Sequence, residues 1–248
     1  MSEKKVLITG GAGFIGTNLT RKLLGTGHHV TIFDCFLPQI HGTNTDLAPD
    51  ISDKVRLVRS SVLDKEKLFE ELSKHDTVVH LAAETGTGQS MYDVAHYTNV
   101  NIYGTSLICD FLLNHKHQVK SLIVASSRSI YGEGRYISPE FGNVYPKART
   151  FSEMQNGFEV KCPISGEDNL TVTTTDEESK IHPSSFYGIT KQVQEQMIIL
   201  AAKLCGITGV ALRYQNVYGP GQSLKNPYTG IISIFTQLAM QNKEINVF

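Results

Sequence analysis

The chain has 248 residues, 40% apolar and 19% charged, with 23 basic against 24 acidic side chains and a net charge of -1. That length suits one large domain, or one domain with a smaller lobe, and the composition can bury a sizeable core. The even charge, without a basic block, argues against a nucleic-acid partner, and no apolar run reaches the roughly 18 residues of a membrane span.

Strands and helices alternate along the chain. Val6-Leu7-Ile8-Thr9 is a short apolar strand that runs into glycines, and a helix follows over about 14 to 25. Val30-Thr31-Ile32-Phe33 and Val55-Arg56-Leu57-Val58 are the next strands. Lys65 to Ser73 is helical, Thr77 to Leu81 is a strand, and a long helix is expected from about Ser90 to Asn114. Ser121 to Ala125 is a strand, Ser184 to Leu204 a helix, and Thr208 to Arg213 a further strand. Short β-branched runs separated by helices predict an α/β fold with a doubly wound parallel (Rossmann) sheet. Residues 133–182 break the rhythm as an insertion rich in Gly, Pro, Asn and Ser. Residues 1–215 are read as the dinucleotide-binding domain and 216–248 as the start of a small, incomplete substrate lobe, with a strand opening at Glu244–Phe248.

The N-terminus leads into the first strand without an apolar signal core, which predicts a cytoplasmic protein. Cys35, Cys109, Cys162 and Cys205 are scattered, with no Cys-x-x-Cys pair, and read as free thiols; no metal is expected.

Gly10, Gly13 and Gly16 follow the first strand and flank Phe14-Ile15 at the opening of a helix. In a dinucleotide fingerprint the first glycine turns the chain, the second admits a pyrophosphate and the third packs helix on strand. Asp34 closes the second strand, where a carboxylate accepts both adenosine ribose hydroxyls and repels a 2′-phosphate. The cofactor expected is therefore NAD. Asp64, after Val62 and Leu63, is placed to meet the adenine amino group; its other reading is a helix N-cap.

Tyr187 and Lys191 stand at i and i+4 on one helix face. A fixed ammonium beside a phenol, together with a positive nicotinamide, is expected to lower the tyrosine pKa and make it a base. Ser126 and Ser127 follow the fifth strand, at the carboxyl edge where open α/β sheets bind ligands.

With these residues the chain resembles the extended short-chain dehydrogenase/reductase family, the NAD-dependent sugar-nucleotide epimerases and dehydratases. His80-Leu81-Ala82-Ala83 resembles the family's strand-four segment beside the cofactor, and Asn101-Ile102-Tyr103-Gly104-Thr105 its Asn-Val-x-Gly-Thr element. Arg213 to Gln222, with Tyr214 on the cofactor side, resembles the segment where cofactor and sugar-nucleotide phosphates meet. The resemblance implies Ser127 as catalytic serine, Tyr187 as base and Lys191 as its partner, which also holds the nicotinamide ribose. It implies Glu84, Ser127, Arg128 and Asn216 as substrate contacts, with Asn216 facing the diphosphate.

The 4,6-dehydratases carry Thr-Asp-Glu before the Tyr-Gly; here Ser127-Arg128-Ser129-Ile130 stands there, which argues against dehydration. Ala83 to Ser90 resembles the strand-four loop of a bacterial 6-deoxyhexose 4-epimerase group. Relatives with a long insertion often carry Cys-Pro-x-Cys-Gly in it; Cys162-Pro163-Ile164-Ser165-Gly166 lacks the second cysteine, so no metal role is carried over. The reading is C4 epimerisation of a nucleoside-diphosphate sugar by a homodimer paired through the helices near 90–114 and 184–204. A sugar-nucleotide reductase or dehydrogenase, and a catalytically idle NAD-binding protein, are the alternatives.

Overall fold

The computed structural model describes residues 3–43, 45–155, 157–222 and 231–245. Six strands form one sheet: β1 (Lys5–Thr9), β2 (His29–Asp34), β3 (Arg56–Arg59), β4 (Thr77–His80), β5 (Ser121–Ser127) and β9 (Thr208–Tyr214). Their order is β3-β2-β1-β4-β5-β9 and every pairing is parallel. The order reverses at β1, so a crevice opens between the carboxyl ends of β1 and β4, the switch point where such sheets bind ligands.

Helices cover both faces: α1 (Phe14–Gly25), α2 (Lys65–Leu72), α3 (Gly104–Asn114) and α4 (Phe186–Cys205). Alternate strand residues feed opposite cores. Leu7, Phe33 and Val78 pack with Leu68, Leu107, Ile108 and Ile198 beneath α2, α3 and α4. Val6, Ile8, Ile32 and Val79 pack with Leu19 and Leu23 of α1. Burial on both faces is why these strands read as unbroken apolar runs.

The long helix expected from about Ser90 to Asn114 runs without a gap over 94–114, as Val94–Tyr97, a π-helical stretch Thr98–Tyr103 and α3, and a separate turn Thr87–Ser90 precedes it. Its period still buries Leu107, Ile108, Phe111 and Leu112. The wider π turn has no periodicity signature in the sequence. Of the strand expected at the C-terminus, residues 244 and 245 are without regular structure and 246–248 lie outside the described residues. A helix over Ile231–Met240 (α5), unanticipated, precedes them.

The insertion carries its own antiparallel sheet, β6 (Tyr136–Ser138), β7 (Gly142–Val144) and β8 (Thr171–Val172), ordered β7-β6-β8. It also contains two turns of one form, Ser138-Pro139-Glu140-Phe141-Gly142 and Cys162-Pro163-Ile164-Ser165-Gly166. In the first, Ser138 Oγ accepts from the amides of Glu140 and Phe141 at 3.4 and 3.3 Å. In the second, the Cys162 sulfur receives the amides of Ser165 and Ile164 and the hydroxyls of Ser165 and Ser138, which lower its pKa. Among the described residues no cluster of three or more His, Cys, Asp or Glu side chains could hold a metal.

The insertion returns to its own start. His182 donates its amide to Ile130 O at 2.9 Å. Gly132, at φ +59°, lies so close that a Cβ there would stand 2.6 Å from His182 O. Arg213 of β9 completes the closure, donating to Tyr131 Oη at 2.6 Å and Glu177 O at 2.8 Å while pairing with Glu195 of α4 at 2.7 Å.

Candidate active site

A cleft of about 1340 Å³ runs across the carboxyl edge of the sheet. A single small-ligand pocket occupies roughly 300–1,000 Å³, so there is room for more than one ligand. Gly10, Gly13, Phe14, Ile15, Gly16 and Asp34 line one end, with Val62, Leu63, Leu81, Ala82 and Ala83. Glu84, Ser126, Ser127, Arg128, Tyr187, Lys191, Tyr214 and Asn216 line the rest, and Ile231, Ile232 and Phe235 reach it from α5.

The three glycines do different work. Gly10 turns at φ +70°, and a Cβ there would lie 2.7 to 2.9 Å from the backbone of Leu81 and Ala82. At Gly16 it would lie 2.5 Å from Gly11 Cα. Gly13 is different: its φ is −70°, and a Cβ would meet only Gly10 O, at 3.4 Å. The protein does not fill the space beside Gly13. Gly13 also starts α1 without a side-chain cap. Open space at a helix N-terminus, with uncapped amides, fits a phosphate group.

The buried Asp34 carboxylate accepts from the amides of Ala12 (2.9 Å) and Phe36 (2.8 Å), and His41 Nε2 stands 3.8 Å away. It thus pins the glycine loop to β2 and keeps lone pairs for ribose hydroxyls.

Two residues expected at the cofactor, Asp64 and Asn101, are not among those that line the cleft. Asp64 caps α2: its Oδ1 accepts from Lys67 N at 3.3 Å and its Oδ2 from Ser60 Oγ at 2.8 Å. It does not line the cleft, and the N-cap reading is the one the geometry bears out. Asn101 is fully buried and also off the cleft lining. Its Oδ1 accepts from Glu84 N at 2.8 Å, while Nδ2 donates to Glu84 O (3.1 Å) and Thr190 Oγ1 (3.0 Å). It braces the loop after β4 against α4. Glu84 itself pairs with His96 at 3.1 Å.

Ser127 and Tyr187 are 60 positions apart yet adjacent, because the insertion closes on itself. Ser185 caps α4, accepting from Gly188 N at 3.1 Å. Gly188 lets the helix start press on the turn after β5: a Cβ there would lie 2.7 Å from Ser129 O. Tyr187 is thereby delivered to the Ser127 hydroxyl. Ser127 Oγ also accepts from Ser129 N (3.1 Å) and Ser129 Oγ (2.9 Å).

Lys191 Nζ lies 6.0 Å from the centre of the Tyr187 ring. Burial pushes the Tyr187 phenol above its ordinary value, and the Ser127 hydroxyl draws it part of the way back. The protein alone therefore does not produce the lowered tyrosine expected from the sequence. Tyr187 keeps part of its surface on the cleft, whereas Lys191 is buried and depressed by that burial to about 7. A bound cation is needed to bring the phenol down.

Behind Lys191 lies a polar chain that the motifs did not reveal. Lys191 Nζ donates to Gln194 Oε1 at 2.8 Å. Gln194 Nε2 donates to Thr105 Oγ1 at 2.7 Å and stands 3.2 Å from His80 Nε2, while His80 Nδ1 meets Thr9 Oγ1 at 2.7 Å. His80 is wholly buried and drops to about 3, so it is neutral. The available signal was Gln194 at i+3 from Lys191, a polar residue on the inward face of α4.

The chain matches the NAD dependent epimerase/dehydratase family over residues 6–153 and 163–248, and it belongs to that family. It is 36% identical over 99% of its length to a dTDP-L-rhamnose 4-epimerase of Burkholderia thailandensis, covering 66% of that protein. It is 31% identical over 99% of its length to a UDP-N-acetyl-alpha-D-glucosaminuronate decarboxylase of Bacillus cytotoxicus, covering 64%. Its fold matches the UDP-glucose 4-epimerase of Thermotoga maritima solved with UDP-glucose, at a TM-score of 0.72 and 26% identity over 98% of this chain and 65% of that one. The UDP-glucose 4-epimerase of Brucella ovis in complex with NAD matches at 0.61 and 25% identity, over 86% and 52%. The chain thus spans less than two thirds of the length of these relatives.

Proposed function

We propose that the protein is an NAD-dependent epimerase acting at C4 of a nucleoside-diphosphate sugar. The observation that carries this is the contact of Ser127 with Tyr187, and of Tyr187 with Lys191, in the same cleft as the Gly10–Gly16 loop and Asp34. The Gly13 space and the α1 N-terminus fit the pyrophosphate, Asp34 the adenosine ribose, and Lys191 the nicotinamide ribose. NAD held there would supply reversible hydride transfer, which would make the cycle redox-neutral. Tyr187 Oη removes the proton of the sugar 4-hydroxyl and later gives it back, and Ser127 holds that oxygen by a hydrogen bond. Arg128 and Asn216, linked at 3.5 Å, face the diphosphate. The turn after β5 offers no Asp-Glu pair for water elimination, which favours epimerisation over dehydration.

Residues from 216 onward are read as the start of the substrate lobe, supported by the α5 side chains on the cleft. A homodimer is supported by the exposed apolar side chains Leu113 of α3 and Leu200 and Leu204 of α4. A cytoplasmic location is supported by four cysteines that remain free thiols.

The test is Tyr187→Phe in the full-length protein, assayed by NMR for interconversion of C4 epimers. The expected loss is about 10²-fold or more. Unchanged epimerisation overturns the assignment, and stoichiometric NADH release would instead make the protein a dehydrogenase.

A further inference from the structure

Lys191 is 3% exposed, and among the described residues no carboxylate pairs with it. It donates instead to a neutral amide oxygen, that of Gln194, a residue with no exposed surface. An ammonium can only donate, so the Gln194 oxygen must face Lys191 and its NH₂ must face away. Away from Lys191 the structure supplies a matching acceptor. Thr105 Oγ1 gives its own proton to Asn101 O at 2.6 Å and so is free to receive the amide N–H. His80 Nε2 lies 3.2 Å from the same amide nitrogen and 3.0 Å from Thr105 Oγ1, closing the group behind Gln194.

The choice of an amide rather than a carboxylate has a consequence for charge. Glutamate at this position would grip the ammonium more tightly, but its negative charge would cancel the field that reaches Tyr187. Glutamine fixes the ammonium and leaves its charge uncompensated. An apolar residue would leave the charge buried and unheld.

We infer that Gln194 is a positioning residue: it holds Lys191 toward the nicotinamide ribose and Tyr187 without neutralising it, its own amide set by Thr105. The inference rests on the epimerase reading for the role of Tyr187.

The other titratable groups around the pair are already committed. Tyr97, its ring 6.5 Å from that of Tyr187, donates to Thr85 O at 2.6 Å and is raised by burial. Glu84 is paired with His96, and Glu195 with Arg213. His80 touches Lys191 by way of Gln194, and it is kept neutral by burial and by the Lys191 charge.

Two variants of the full-length protein test this. Gln194→Glu keeps the shape and adds a charge; the acid limb of the kcat–pH profile is expected to move up by about one unit, since the phenolate loses stabilisation. Gln194→Met keeps the length and removes the acceptor; NAD affinity, measured by fluorescence titration, is expected to weaken about tenfold, or about 1.4 kcal/mol. A purely packing role would lower thermal stability and move neither readout. An unmoved acid limb in Gln194→Glu, or NAD affinity within about twofold of wild type in Gln194→Met, overturns the inference. If the wild-type protein turns over no nucleotide sugar, the epimerase reading fails by itself, and the NAD titration still decides the role of Gln194.

Discussion

Glycines that look equivalent in a motif separate once their surroundings are known. Gly10 and Gly16 are required by the protein's own backbone, whereas Gly13 is required only by what lies outside it. Gly13→Ala is therefore expected to unfold within about 1 kcal/mol of the wild type while NAD binding falls at least about tenfold. Gly10→Ala, strained at φ +70° and against the Ala82 backbone, is expected to lose about 2 kcal/mol or more. Urea denaturation and NAD titration of both variants separate the two roles; equal stability losses would contradict it. Residue identity made the loop, Asp34, Ser127, Tyr187 and Lys191 legible, because each chemistry demands a particular side chain at a fixed place. Asp64 and Asn101 were harder. A polar residue beside a cofactor motif can cap or brace as well as bind, and only the partners of its atoms decide.

Elements were legible to the extent that period governs them. Six parallel strands and the helices between them were readable from short apolar runs. The π-helical break before α3 and the small sheet in the insertion were not, since neither leaves a repeat that spacing can detect. Arg213 is the element-scale fastening: it joins β9, the turn after β5, the end of the insertion and α4. Its side chain and that of Glu195 are 19% and 12% exposed, so removing one partner leaves a mostly buried charge. Arg213→Met is expected to cost about 3 kcal/mol, measured by urea denaturation, and to loosen residues 177–182, measured by faster hydrogen exchange. A loss below about 1 kcal/mol would mean that the fastening is not made in solution.

At the scale of the whole molecule, the buried polar groups of the candidate site weaken the fold. His80 and Lys191 fall from 6.5 to about 3 and from 10.5 to about 7 when folding buries them. Within each interval the unfolded chain binds more protons than the folded one, so stability rises with pH. For Lys191 this means that the ligand-free protein gains stability above pH 7, by at most about 1.4 kcal/mol per pH unit. The gain is expected up to about pH 8.5. Beyond that, deprotonation of Cys109, whose folded value is raised to about 11, begins to oppose it. Melting temperatures across this range check the sign, and Lys191→Met is expected to flatten the slope.

The π-helical stretch Thr98–Tyr103 has a consequence for how the chain can change length. It holds one residue more than an α-helical turn and aims Asn101 at both the loop after β4 and α4. Deleting a residue there would turn all of α3 by about 100° about its axis, carrying Leu107, Ile108 and Phe111 out of the core. The insertion at 133–182 is anchored at both ends and can lengthen or shorten between them without rotating anything else. The two segments thus differ in phase sensitivity: one behaves as a gear tooth, the other as slack.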